Sequence, residues 1–301
     1  MRGLIDTVLL AGGVAATHEL LATGFTSHCL TAAVRSGEVL RPRQGWYASP
    51  DLPDDMVRAL RVGGRLASVS AAASYGLAVP HEFPLHVHVP HHDSRLRTER
   101  DFRIRLRDAL GETTVIHRGP VSPISPTTRL RVSLDDCLRQ VISTETENDA
   151  VACLDSALRI GALGDCDIQR LFAQLPGRCQ PLAVKVDGAS DSYPESIVRL
   201  NLARAGIATR IQVPVLGERW VDLLIGDCLA IEVDGAGKYS QDMTPGEVAR
   251  RVNSDRQRDA FLEALGYHVI RISYVMVLFD WPATLAMIQA VMDRGGHLSH
   301  R

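Results

Sequence analysis

Along the first fifty residues the apolar positions fall into short blocks, helical in spacing at first and strand-like later. Residues 3–11 are mostly apolar, and Gly12-Gly13 break them. Thr17 can cap a helix over 18–23, which Gly24 stops. Thr26 or Ser27 caps a third helix, where Leu30, Ala33 and Val34 form one apolar stripe and Ser27, His28, Thr31 and Arg35 take the other side. After Gly37, residues 38–48 read as two strands around a tight turn that carries Arg41 and Arg43. Three helices and a basic hairpin are the order of a winged helix-turn-helix, whose recognition helix enters the major groove and whose wing arginines meet phosphates. A helical module that binds another protein shows the same pattern.

The middle of the chain is less regular. A helix is expected over 54–62, and Ala67–Leu77 is an apolar segment rich in alanine. Residues 85–89 read as a strand with His86 and His88 on one face and His91 and His92 just beyond. No Asp, Glu or Cys completes a metal set there at a firm spacing, so a half-exposed strand is expected. Residues 102–107 alternate apolar and Arg, which predicts a half-buried strand with Arg103, Arg105 and Arg107 on one face, either solvated or contacting phosphates. Pro120, Pro123 and Pro126 mark a loop, helices follow around 133–142, 147–160 and 165–174, and 176–192 has linker character.

The last hundred residues carry the chemistry. Pro194 suits the first turn of a helix that also holds Glu195 and ends at Gly206. Strands are expected at 210–216, 219–225 and 229–234, then a polar loop with Lys238 and Tyr239. A helix over 246–265, a strand over 267–273 and a helix near 282–293 complete the unit. On the third strand Leu229, Ile231 and Val233 face one way, and Ala230, Glu232 and Asp234 the other. Carboxylates inside an apolar strand repel and are costly to bury unless a cation or donor compensates. Asp222 has the same problem between Val221 and Leu223. A two-residue turn after 225 would send Asp222 and Glu232 to opposite faces. A three-residue turn at 226–228 pairs them, and that register is expected.

Convergent oxygen ligands suit Mg²⁺ or Mn²⁺, with Asp222 and Glu232 as the metal ligands. Such an ion activates water against a phosphodiester. Lys238, just past the third strand, is placed to orient that water, and Asp234 shares the face of Glu232. Arg256 and Arg258, on a helix that also bears Arg250 and Arg251, are candidates for the DNA backbone, as is Arg271 on the last strand; mixed charge on such a helix also suits a plain solvated face.

Composition narrows this picture. Three hundred and one residues, with 46% apolar and 23% charged, describe an ordinary folded chain. The expected fold class is α/β of the α+β kind. Residues 1–50 form the winged module, 51–187 a mixed α/β linker domain, and 188–301 a mixed sheet flanked by helices. Lys and Arg total 33 against 35 Asp and Glu, a net charge of −2, so binding to double-stranded DNA must rest on local basic patches. Aromatic residues at 5% argue against a stacking platform for single strands. Six cysteines without a C-x-x-C pair read as reduced thiols in a cytoplasmic protein. Asp6 interrupts the N-terminal apolar run, which argues against a signal peptide, and no stretch of eighteen apolar residues predicts a membrane span.

Two resemblances sharpen the reading. Residues 13–24 and 40–47 resemble the N-terminal winged-helix domain of the abortive-infection type IV antitoxin family, over about a sixth of the chain. That implies a DNA-binding regulator, with a cognate toxin as a candidate partner. Asp222, Ile231-Glu-Val-Asp-Gly235, Asp255-Arg-Gln-Arg-Asp259 and residues 265–271 resemble a PD-(D/E)XK endonuclease-like domain, in the subgroup similar to very-short-patch repair endonucleases. This resemblance implies Asp222 and Glu232 as metal ligands, with Glu195 assisting through water. Where that pattern has lysine two residues after the glutamate, this chain has Asp234, and Lys238 is expected to take its place. The alternative is a catalytically inactive DNA-binding regulator or antitoxin.

Overall fold

The first apolar run forms a helix, α1 (Leu4–Leu10), and its continuation Val14–Ala16 forms a strand, β1. Gly12 makes the break between them: its φ is +91°, and a Cβ there would lie 2.2 Å from the Pro126 carbonyl oxygen. The computed structural model describes residues 3–109, 111, 113–215, 220–234 and 244–299, without the side chains at 245, 247–249 and 251–255. The chain divides into two units, Met1–Leu77 with Glu82–Glu145, and Ala78–His81 with Thr146–Arg301.

In the first unit, α2 (Thr17–Ala22) and α3 (Ser27–Ser36) lead into a hairpin of β2 (Leu40–Arg43) and β3 (Trp46–Ala48). β1 joins that hairpin, giving an antiparallel sheet in the order β1-β3-β2. Leu4, Val8, Leu20, Leu30, Ala33, Val39 and Tyr47 are its core. Thr26 caps α3 by accepting the Cys29 N–H at 3.2 Å. The cap of α2 is Ala16 rather than Thr17, because the Glu19 carboxylate accepts the Ala16 N–H at 2.7 Å.

Next come α4 (Asp54–Val62), β4 (Arg65–Leu66), α5 (Ser68–Ser74), β5 (His86–His88), β6 (Val115–His117) and α6 (Leu134–Thr144). The strands form a second sheet, β4-β5-β6, with β5 antiparallel to β4 and parallel to β6. This corrects two expectations. His86 and His88 are not half-exposed: β5 is the central strand, and they are 5% and 6% exposed. Residues 102–107 are not a strand. Thr98 Oγ1 and Asp101 Oδ1 accept the N–H groups of Asp101 and Arg103, which turns the chain, and Leu106–Asp108 is a single 3₁₀ turn. What remains of pairing is one bridge between Arg97 and Arg105.

The second unit opens with α7 (Glu147–Arg159), α8 (Asp165–Ala173), α9 (Gln180–Ala183) and α10 (Tyr193–Arg204). Its sheet runs β10-β9-β8-β7. The strands are β7 (Thr209–Pro214), β8 (Trp220–Ile225), β9 (Leu229–Asp234) and β10 (His268–Ser273), with α11 (Pro245–Ala264) before β10 and α12 (Tyr274–Leu278) and α13 (Trp281–Asp293) after it. β7, β8 and β9 are antiparallel neighbours, and β10 lies parallel to β9. Ile197 and Leu202 of α10 pack with Leu223, Leu229, Ile231 and Ile272, while Val221 and Ala230 pack with Leu262 of α11. The chain is therefore a mixed α+β protein. Among the described residues no helix is long and apolar enough to cross a membrane.

Candidate active site

The turn between β8 and β9 spans residues 226–228. Gly226 has φ +59°, and a Cβ on it would meet the His297 carbonyl oxygen at 2.3 Å. The resulting register sets Leu223 opposite Ile231 and Ile225 opposite Leu229. The paired rungs end there, and Asp222 and Glu232 are the next residues on the two strands. At that level a side chain takes over from the ladder: the Val233 N–H donates to Asp222 Oδ2 at 2.8 Å.

Two strands depart from regularity at this level: β8, which carries Asp222, and β7 beside it. Leu223 and Ile225 belong to the α10-side core, but Val221 belongs to the α11-side core, so the alternation of β8 changes across Asp222. On β7, Ile211 pairs with Leu223 and Val213 with Val221, while Gln212 between them has φ +45°. Non-glycine residues rarely hold that conformation, and when they do it often serves a site. Here it accompanies a hydrogen bond from Gln212 Nε2 to Glu195 Oε2 at 3.0 Å.

Glu195 lies in the first turn of α10 and is 4% exposed. Ser192 Oγ donates to its Oε1 at 2.7 Å and the Asp191 N–H to its Oε2 at 2.9 Å. These donors favour the carboxylate, yet burial and the charge of Asp222 outweigh them and push the Glu195 carboxyl up to about 7. Glu232 is 5% exposed, and it too is raised to about 7 by burial and then by Asp222, against the pull of Arg258 and Arg271. Glu195, Asp222 and Glu232 thus share one electrostatic environment. Its excess negative charge and all-oxygen donor set fit a hard divalent cation. Were one bound, Asp222 and Glu232 would hold it.

The remaining expected residues divide. Arg258, expected on the DNA backbone, sits 3.1 Å from Glu232 and also donates to the Trp220 carbonyl. Asp234 meets Arg271 at 3.3 Å, and Arg271 in turn grips Asp259 through Nε at 2.9 Å and Nη2 at 2.7 Å. Arg256 is exposed, and Lys238 lies outside the described residues. In the first unit Arg35 and Arg41 are exposed, with Arg41 5.9 Å from the Tyr47 ring centroid. Arg43 is half-buried instead and donates to the carbonyls of Val62 at 3.1 Å and Arg95 at 2.8 Å. Gln212 escaped the sequence reading: one polar residue between Ile211 and Val213 carries no signal until the strand's φ is known.

No family model matches the chain, and no curated protein matches it. Among solved structures, the homing endonuclease I-Bth0305I catalytic domain is similar, at 28% identity and a TM-score of 0.26, over 32% of this chain and 89% of that one.

Proposed function

We propose that the second unit is a divalent-metal-dependent DNA endonuclease, taking Mg²⁺ or Mn²⁺, and that residues 188–301 are its nuclease-like module. The observation that carries this reading is the placing of three acids about β7, β8 and β9: Asp222 accepts the N–H of Val233, next to Glu232, and Gln212 of the neighbouring strand holds Glu195. Asp222 and Glu232 hold the ion. When bound, it lowers the pKa of a coordinated water and offsets the charge that gathers on the phosphodiester. Arg258 keeps Glu232 oriented, and Arg271 ties Asp234 to Asp259. Glu195, poised near neutrality and steered by Gln212, accepts the proton of the attacking water. Lys238 completes the set by orienting that water.

Double-stranded DNA is the substrate class, and residues 1–50 are the module that finds it through Arg35 and Arg41. The same unit has an open cavity of about 640 Å³ lined by Arg95, Arg97, Arg105, Arg107 and Arg118, a second place for phosphates. Cleavage of supercoiled plasmid tests the proposal. Nicking with Mg²⁺ or Mn²⁺, lost in EDTA and in Glu232→Ala, is the expected result.

A second reading has two observations in its favour. Arg258 already neutralises Glu232, and Asp234 stands where lysine is expected, as in a site retained without catalysis. The chain is then a DNA-binding regulator of antitoxin type with a toxin as partner. Equal nicking, or none, by wild type and Glu232→Ala, with duplex binding intact in both, supports that reading and ends the first.

A further inference from the structure

Away from the carboxylates, in the first unit, the structure gathers a different donor set. His86 on β5 and His117 on the parallel neighbour β6 sit on one face of the sheet, since His88 is the register partner of His117. Their rings stack at 5.1 Å between centroids, with His86 Nδ1 2.9 Å from His117 Nε2. Glu145, the residue that ends α6, brings Oε1 to 3.3 Å from that same His86 nitrogen. One ligand atom from each residue lies within 4.8 Å of the other two.

His86 Nδ1 carries at most one proton and faces both a ring nitrogen and a carboxylate oxygen. Whichever ring carries the proton between the two histidines, the three ligand atoms converge on the same space. A cation bonded to all three satisfies every one of them. We propose that His86, His117 and Glu145 form a binding site for a borderline transition-metal ion of the Zn²⁺ class.

The donor chemistry fits. Two imidazoles and one carboxylate are a set that zinc accepts, leaving a fourth position open. Tetrahedral zinc, with bonds of about 2.0–2.1 Å, holds neighbouring ligand atoms about 3.3 Å apart. The separations here, 2.9 and 3.3 Å, need only a small opening of the cluster. Both histidines are buried, at 5% and 6% exposure, and burial lowers His117 to about 4, so its ring stays neutral and able to ligate. The supporting bonds that orient metal ligands are present as well. Ser68 Oγ donates to Glu145 Oε1 at 2.6 Å, Thr144 Oγ1 does so at 2.9 Å, and the backbone N–H of His86 donates to Ser70 Oγ at 2.9 Å, which fixes the strand. An ion there ties β5 and β6 to the end of α6. It is independent of the carboxylate cluster in ligands and in hardness.

Titration of the full-length, chelator-treated protein with Co²⁺, followed by the visible d–d bands of low-coordinate cobalt, tests the site. The expected result is saturation at one equivalent, displacement by Zn²⁺, and a rise in melting temperature with Zn²⁺. Asp222→Asn keeps the bands, which separates this site from the proposed nuclease centre. His117→Ala abolishes them. Glu145→Gln, which keeps an acceptor for Ser68, weakens binding roughly 100-fold or more. His117→Cys restores a ligand and adds sulfur-to-cobalt charge transfer, so loss by misfolding is told apart from loss of a donor. Wild-type protein without the bands, or bands unchanged in His117→Ala, overturns the proposal.

Discussion

At the scale of single residues, the candidate site keeps Glu195 and Glu232 where burial penalises charge. Glu195 and Glu232 are raised to about 7 in the folded protein, above the ordinary 4.5. The folded state therefore holds protons that the unfolded state has released. Stability from these groups is full below the unfolded pKa and is lost as pH rises through about 7. Asp222→Asn keeps an oxygen to accept the Val233 N–H and removes the charge that raises both neighbours. Metal-free Asp222→Asn is expected to melt higher than wild type, by a margin that grows from about pH 5 to about pH 8. It is also expected to lose cleavage. Melting curves at several pH values check the first outcome, and a margin that shrinks with pH contradicts it. The residue types of this site were legible in the sequence, because acids inside an apolar strand need a reason. Their company was only partly so, since Gln212 depends on a backbone angle and Lys238 lies outside the described residues.

Strand register and strand irregularity set the site at the scale of elements. The pairing of β8 with β9 was readable because turn length alone fixes it, and the turn at 226–228 has that length. The bend at Gln212 was not readable. Gln212→Gly should relieve about 1–2 kcal/mol of left-handed strain. Against that stand a hydrogen bond of about 0.5–1.5 kcal/mol and the flexibility of glycine, about 0.5–1 kcal/mol. Stability is expected to change by no more than about 1 kcal/mol, while the ascending limb of the cleavage pH profile moves to higher pH as Glu195 loses a donor. An unmoved profile removes Gln212 from the mechanism. The segment 102–107 failed as a strand because Thr98 and Asp101 bond the backbone locally, which the alternation of apolar and Arg residues conceals. His86 and His117 stand 31 positions apart and meet Glu145 only through the sheet and α6, so spacing in the sequence had no means of grouping them.

For the whole molecule, a net charge of −2 means that DNA affinity must come from a few exposed arginines. Arg41→Ala is expected to leave stability unchanged, weaken duplex binding and lower the slope of log K against log salt by about 1. Arg43→Ala should act differently, because its guanidinium bonds the Val62 and Arg95 carbonyls. It is expected to cost about 1–3 kcal/mol in urea denaturation. Equal stabilities for the two variants contradict that division.

The central claim is that Asp222 and Glu232 hold one hard cation, with Glu195 beside them as the base. Mn²⁺ binding, read from the loss of the free-ion paramagnetic resonance signal, tests it most directly when wild type and Asp222→Asn are titrated side by side. The account predicts that the variant takes up one equivalent fewer, with the deficit clearest above pH 7, where both glutamates have lost their protons. Identical isotherms for the two proteins would contradict it.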